Sequence, residues 1–279
     1  MKNKIRLMVL MMTALLMVVP AMVLAQNEAA DDRAAAEKKD DKNKPRGWLR
    51  ILPVGDSPPF VQEIIDGVRV EMPPPEGSVP PRQILVPAGG DKVETRRLQL
   101  GRTTEPVVST AGVHVLRELT EAGGEKPWMT VNMLEHPAAL AIFFRDPRQN
   151  SWDAARSLVV EDDLVTHPEG AVRVINASIY AVRALVGEQK MELAPGKSMV
   201  WKRANLGVMK DIPLLVEVKT AQDWERVYDG ALAQSRGERT NAVVYRADGE
   251  KPRRPAKVLV LKERSLLPKL PDKKKDPES

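Results

Sequence analysis

The sequence predicts a mostly β protein: antiparallel, sandwich-like domains with short loops, disordered charged tails and an N-terminal signal peptide. Its apolar residues recur in short runs, many of them alternating with polar residues as on a half-buried strand. Proline and glycine, 23 and 17 of them in 279 residues, cut those runs every few positions. Long helical periodicity is absent.

The chain opens on Lys2, Lys4 and Arg6, continues with an apolar run over residues 7–25 broken by Pro20, and ends that run with Val23-Leu24-Ala25. A basic start, an apolar middle and small residues at the −3 and −1 positions are the build of an export signal cut after Ala25. The run is 19 residues long, enough to span a bilayer as an uncut anchor, which is the alternative. No cysteine follows it, so a lipid-modified N-terminus is excluded, and no later segment is long and apolar enough to cross a membrane. The expected location is periplasmic or secreted, with membrane contact only through the signal.

Zero cysteines sharpen that address, because small extracellular domains usually need disulfides. Cleavage would leave 254 of the 279 residues, enough for one or two cores without staples, which fits a bacterial envelope. The sequon Asn176-Ala177-Ser178 is then coincidental. The signal also holds three of the 43 basic residues and none of the 38 acidic ones, so the remainder carries 40 against 38, or +2. With five Trp, three Tyr and three Phe, such a chain lacks the basic surplus of a nucleic-acid binder.

Residues 26–47 are Ala, Asp, Lys and Glu with almost no large apolar side chain, and are expected to be a disordered linker. An N-terminal β domain is expected over 48–145. Its alternating runs are 68–72, 95–100, 113–119 and 130–134, and the more continuously apolar runs 84–86 and 139–144 read as strands buried on both faces. Pro58-Pro59, Pro73-Pro74-Pro75 and Pro80-Pro81 mark edges and connectors. Residues 146–165 read as an acidic, strand-poor connector holding Trp152 and Glu161-Asp162-Asp163. A C-terminal β-sandwich is expected over 166–262, with strands at 171–175, 180–186, 191–193, 199–201, 214–218, 242–245 and 258–261. Gly187-Glu188 and Pro195-Gly196 suggest a three-stranded meander from Tyr180 to Trp201. Residues 220–234 fit a helix or a strand; Asp229-Gly230 and β neighbours favour the strand. Residues 263–279 are charged, Pro-broken and expected to be loose.

The stretch Pro168-Glu-Gly-Ala-Val-Arg-Val-Ile-Asn-Ala-Ser178, followed by Val186-Gly-Glu and Leu193-Ala-Pro-Gly-Lys-Ser198, resembles exported bacterial β-sandwich domains without an assigned activity. In these a Gly-x-x-Arg-Val-x-Asn strand opens the fold and a Leu-x-Pro-Gly turn closes a hairpin. The resemblance covers about residues 166–261, supports the fold and implies no catalytic residue.

Few residues of the chain carry recognisable chemistry. His114 alternates with Val113 and Val115 and is expected on a solvent face; His136 and His167 each precede a proline. No histidine pair has zinc-protease spacing. The best metal candidate is His167 with Asp162 and Asp163, against the plainer reading of a solvated acidic loop. There is no Gly-x-Ser-x-Gly elbow, no Ser-x-x-Lys at Ser198 and no phosphate-cradling glycine loop. Six of the 12 methionines fall in the signal, so a Met-rich copper site is unsupported. Trp48, Trp128, Trp152, Trp201 and Trp224 could form a sugar-stacking platform or plug cores. No catalytic, cofactor-binding or metal-ligating residue is assigned, and no cofactor is expected. The leading expectation is a non-enzymatic exported envelope protein that binds a protein partner; the alternative is a carbohydrate-binding module taking a glycan on exposed tryptophans.

Overall fold

The computed structural model describes residues 46–264 except 121, 147–148, 150, 203–209, 236 and 250–251. The expectations for residues 1–45 and for 265–279 lie outside the described residues, whereas residues 46–47 of the expected linker lie in the first strand and 263–264 of the expected loose tail in the last, both held by ladder pairing. Within the described residues the chain is mostly β, with no α-helix and a single 3-10 turn, Trp152–Ala154.

The first half contains β1 (Arg46–Pro53), the hairpin β2 (Gln62–Ile65) and β3 (Val68–Glu71), β4 (Gln83–Pro87), β5 (Val93–Arg97), β6 (Val107–Thr110), β7 (Val113–Leu119), β8 (Glu125–Asn132), β9 (Ala138–Arg145) and β10 (Ala155–Glu161). Apart from the hairpin they form two four-stranded sheets, β10-β9-β1-β6 and β5-β4-β7-β8. The second half contains β11 (Val172–Asn176), β12 (Val182–Val186), β13 (Gln189–Leu193), β14 (Ser198–Trp201), β15 (Lys210–Lys219), β16 (Trp224–Gln234), β17 (Glu238–Arg246) and β18 (Ala256–Arg264). Its sheets are β14-β11-β17-β18 and β13-β12-β15-β16.

The two halves have the same wiring. β1 lies antiparallel to β6 and parallel to β9, and β9 is antiparallel to β10; β11, β14, β17 and β18 repeat each relation in the same order. In the other sheets β4, β5, β7 and β8 correspond to β12, β13, β15 and β16. Even the ladder irregularity recurs, at Leu116/Arg117 in one half and Val216/Glu217 in the other. Aligning the parallel pairs sets Gly47-Trp48-Leu49-Arg50-Ile51-Leu52 against Gly170-Ala171-Val172-Arg173-Val174-Ile175. The first glycine is required by contact, since a Cβ at Gly47 would meet the Pro137 carbonyl; the second sits at φ +76°.

Strand alternation then sorts side chains into three cores joining four sheets. Leu49, Ile51, Ala139, Ala141 and Phe143 pack with Ile84, Val86, Leu116 and Val131 in the first half. Val172, Val174, Ala242 and Val244 pack with Ala184, Val186, Leu214 and Val216 in the second. The opposite faces of β1, β9 and β10 present Leu52, Leu140, Ile142 and Val160 to Ile175 and Val243 of β11 and β17, a core shared by both halves. β9 and β11 are therefore buried on both sides, which explains the nearly unbroken apolar run of β9; β11 buries Arg173 among its apolar residues.

Several expectations change. Residues 146–165 carry β10, a ladder partner of β9 over seven residue pairs; the flanking acids mask the alternation of Leu158 and Val160. The stretch 84–86 buries only alternate residues. The meander from Tyr180 to Trp201 breaks at Pro195-Gly196: β13 pairs with β12, but β14 crosses to β11. That crossing is fixed by Gly196 N–H donating to the Asn176 carbonyl (2.9 Å) and Asn176 N–H donating to Lys197 (2.9 Å). Residues 224–234 are a strand, as the Asp229-Gly230 pair favours.

Candidate functional site

The shared core ends, at one side, in a cluster of buried charge. Arg50 on β1, Arg173 on β11 and Arg239 on β17 all point inward by strand alternation, and all three reach Asp162, the residue after β10. Asp162 Oδ2 accepts from Arg50 Nε at 2.6 Å, and Oδ1 accepts from Arg239 at 2.8 Å, with Arg173 3.5 Å away. Glu263 takes the second Arg50 nitrogen at 2.9 Å and the Thr103 hydroxyl at 2.9 Å. Arg173 also donates to Asn241 Oδ1 (2.9 Å) and to the Glu161 carbonyl.

The cluster obeys the internal repeat. Arg50 corresponds to Arg173, and Asp162, beside Ala138, corresponds to Glu263, beside Arg239. Arg50 of the first half reaches Glu263 of the second, and Arg173 of the second reaches Asp162 of the first. Such reciprocal contacts are those of a two-fold, isologous interface.

Electrostatics make this a lock. Burial pulls the Asp162 carboxyl upward, but Arg50, then Arg239 and Arg173, outweigh it and hold the group below the usual carboxylate range. Burial, against the pull of Asp162, lowers Arg173 to about 10, with Arg239 and Arg50 adding repulsion. His167 is fully buried beside these arginines, and desolvation followed by Arg173 and Arg239 pushes it down to about 3, so the ring is neutral. The Ala171 carbonyl favours its protonated form weakly, yet neither ring nitrogen makes a hydrogen bond. Arg239 Nε and Asn241 Nδ2 likewise lack acceptors. A carboxylate saturated by guanidinium groups is a poor proton acceptor, so the cluster's chemistry is cohesion.

The other side of the shared core is also polar. Asp56 accepts from the Tyr245 hydroxyl (3.1 Å) and Lys257 (2.8 Å), while Asp248 accepts from Asp56 N–H (2.7 Å) and pairs with Arg145. Burial, then Asp56, raises the Tyr245 phenol above its ordinary pKa. The cavity there is only about 20 Å³.

The sequence candidates are thus redistributed. Asp162 and His167 are buried in the lock, correcting the solvated-loop reading. Asp163 turns away: its Oδ1 accepts from Val165 N–H (2.8 Å), Thr166 N–H (2.6 Å) and the Thr166 hydroxyl (2.8 Å). Among the described residues no group of three His, Cys, Asp or Glu is placed to hold a metal. His114, expected on a solvent face, is buried, with Nε2 2.7 Å from the Thr110 carbonyl. Asn176 of the sequon is fully buried, donating to the Tyr180 (2.8 Å) and Leu193 (3.1 Å) carbonyls. Trp48 and Trp152 are buried, Trp128 and Trp201 pack partly buried against cores, and Arg183 lies over the Trp224 ring at 4.1 Å. Trp128, Trp201 and Trp224 each keep part of their surface accessible.

Exposed apolar side chains occur at places such as Val113 and Val115 on β7 and Val165 after β10, and concentrate on the β2–β3 hairpin. Asp66-Gly67, both at positive φ, form its two-residue turn, a strong hairpin signal that the run 68–72 alone did not capture. Every residue of both strands is exposed. Ile65, Val68 and Val70 share one face with Val61, while Ile64, 72% exposed, lies on the other. Around them residues 60–76 carry Glu63, Asp66, Glu71 and Glu76 against Arg69 alone. Pro58-Pro59 and Pro73-Pro74-Pro75 flank it, and Trp152 N–H ties its return to the Gly77 carbonyl at 2.8 Å.

No family model and no curated protein matches this chain.

Proposed function

We propose that this protein is a non-enzymatic exported envelope protein, built of two β-sandwiches fused back to back, that binds a protein partner through the β2–β3 hairpin. The export reading rests on the N-terminal pattern of Lys2, Lys4, Arg6 and the apolar run to Ala25. The sandwich reading rests on the two buried clusters, each shared by one pair of four-stranded sheets.

The observation that carries the binding reading is the exposed apolar hairpin. Two-stranded hairpins are marginal alone, and apolar patches on such elements mark interaction sites. Four carboxylates around the apolar side chains select the partner's chemistry: an apolar protein surface rimmed by Lys or Arg. The same charge disfavours an anionic lipid surface.

The test compares wild-type chain with Ile64→Asp/Val68→Asp in capture from an envelope extract, with the captured protein then purified and its affinity measured against salt. The expected result is a partner lost on the double substitution, with affinity falling as salt rises. Capture indifferent to both, or substrate turnover by the purified chain, would overturn the reading.

A further inference from the structure

Outside the hairpin and the buried lock, one surface groove is built of hydrogen-bonding and charged groups. It has a volume of about 360 Å³ and runs along β5 and the loop 98–106; its eight lining residues are three arginines, three threonines, a glutamine and a glutamate. Arg97 and Arg102 are exposed in it and have no ion-pair or hydrogen-bond partner for their guanidinium groups among the described residues. Arg96 is committed to Glu94 and to the Glu105 and Pro106 carbonyls. Glu105 is the single carboxylate of the lining, so the groove is net positive.

The loop is held in place. Gly101 N–H donates to the Pro53 carbonyl (2.8 Å), Thr104 N–H to Ile51 (2.9 Å), and Ile51 N–H returns a bond to the Thr104 hydroxyl (3.0 Å). Thr103 reaches Glu263 in the buried lock. The arginines therefore project from a preorganised backbone, which lowers the ordering cost of binding. The equivalent connection in the second half, residues 194–197, is a short turn.

We propose that this groove binds an acidic saccharide, with Arg97 and Arg102 taking its carboxylate or ester-anion groups and Thr95 and Gln99 its hydroxyls. Guanidinium forks match planar and tetrahedral oxyanions. No aromatic or aliphatic side chain lines the groove, so a nucleobase or an apolar peptide side chain finds nothing to stack on or bury against. The site is separate from the hairpin and does not depend on the partner reading.

The test is calorimetric titration of the full chain with tetragalacturonate, alongside neutral cellotetraose and inorganic sulfate. Expected are binding of tetragalacturonate that weakens with salt, and a loss of about tenfold or more in Arg97→Gln/Arg102→Gln. Exposed Arg→Gln changes leave the fold intact, checked by an unchanged melting temperature. Ile64→Asp/Val68→Asp should bind tetragalacturonate as wild type does. No binding, cellotetraose or sulfate binding as tightly as tetragalacturonate, or a double variant of undiminished affinity would overturn the proposal.

Discussion

The first and second halves of this protein share eight strands, their pairing and one ladder irregularity, yet differ sharply in what they expose. Between β11 and β12 the second half uses residues 177–181; between β1 and β4 the first half spends 54–82 and builds the hairpin. Between β13 and β14 the second half turns over 194–197, where the first half inserts the groove-forming loop 98–106. The shared elements bury apolar side chains and the charge lock. The unshared ones expose Ile64, Val68 and Arg102, with Arg97 at the adjoining end of the shared β5. Repetition here tracks burial, and departure from it tracks exposure.

The largest expected effect falls on the lock, where the two halves differ in burial. Asp162 is fully buried and faces three arginines, while its counterpart Glu263 is partly open. Asp162→Asn should lower stability by about 3–5 kcal/mol, because it strands buried guanidinium groups. Glu263→Gln should cost only about 1–2 kcal/mol. Denaturant unfolding of both variants measures the contrast; equal losses would remove the distinction.

Next comes pH. His167 is held near 3 when folded, against 6.5 for a free imidazole. The folded pKa is lowered, so the contribution is complete above pH 6.5 and is lost as pH falls, because the unfolded ring takes a proton that the folded ring refuses. The expected slope is about 1.4 kcal/mol per pH unit between pH 6 and 4. Asp162, also lowered, adds loss of the same sign below its ordinary range. His167→Gln should flatten the upper window; urea titrations at several pH values read this, and an unchanged slope would assign it elsewhere.

Replacing 54–82 with a five-residue connection like 177–181 should remove partner capture while changing stability by about 1–2 kcal/mol, from the contacts at Asp56 and Gly77. Thermal melts and capture assays together check it. The smallest effect should be Arg183→Ala, which uncovers Trp224 and costs about 0.5–1 kcal/mol.

Strand alternation made much of the fold legible, since residues such as Val113 to Leu119 announce their period. β10 was obscured because its apolar residues sit beside Glu161-Asp162-Asp163, whose middle carboxylate reads as solvated until Arg50, Arg173 and Arg239 are placed around it. Those arginines lie up to 112 residues away from Asp162 in sequence, beyond any local pattern. The repeat itself was partly visible: Gly170-x-x-Arg173 resembles a strand opening, and Gly47-x-x-Arg50 is the same phrase. The hairpin had its Asp66-Gly67 turn in plain view. What sequence alone lacks is the knowledge that Ile64 and Val68 find no core to cover them.

Amide hydrogen exchange on the free, full chain tests the division between repeated core and added exposed elements most directly. Amides of β1, β9, β11 and β17 should share one slow, global opening, because the core between the halves and the Asp162 lock join them. Amides of β2 and β3 should exchange many orders faster. Two halves opening at clearly different free energies, or a hairpin as protected as β9, would contradict it.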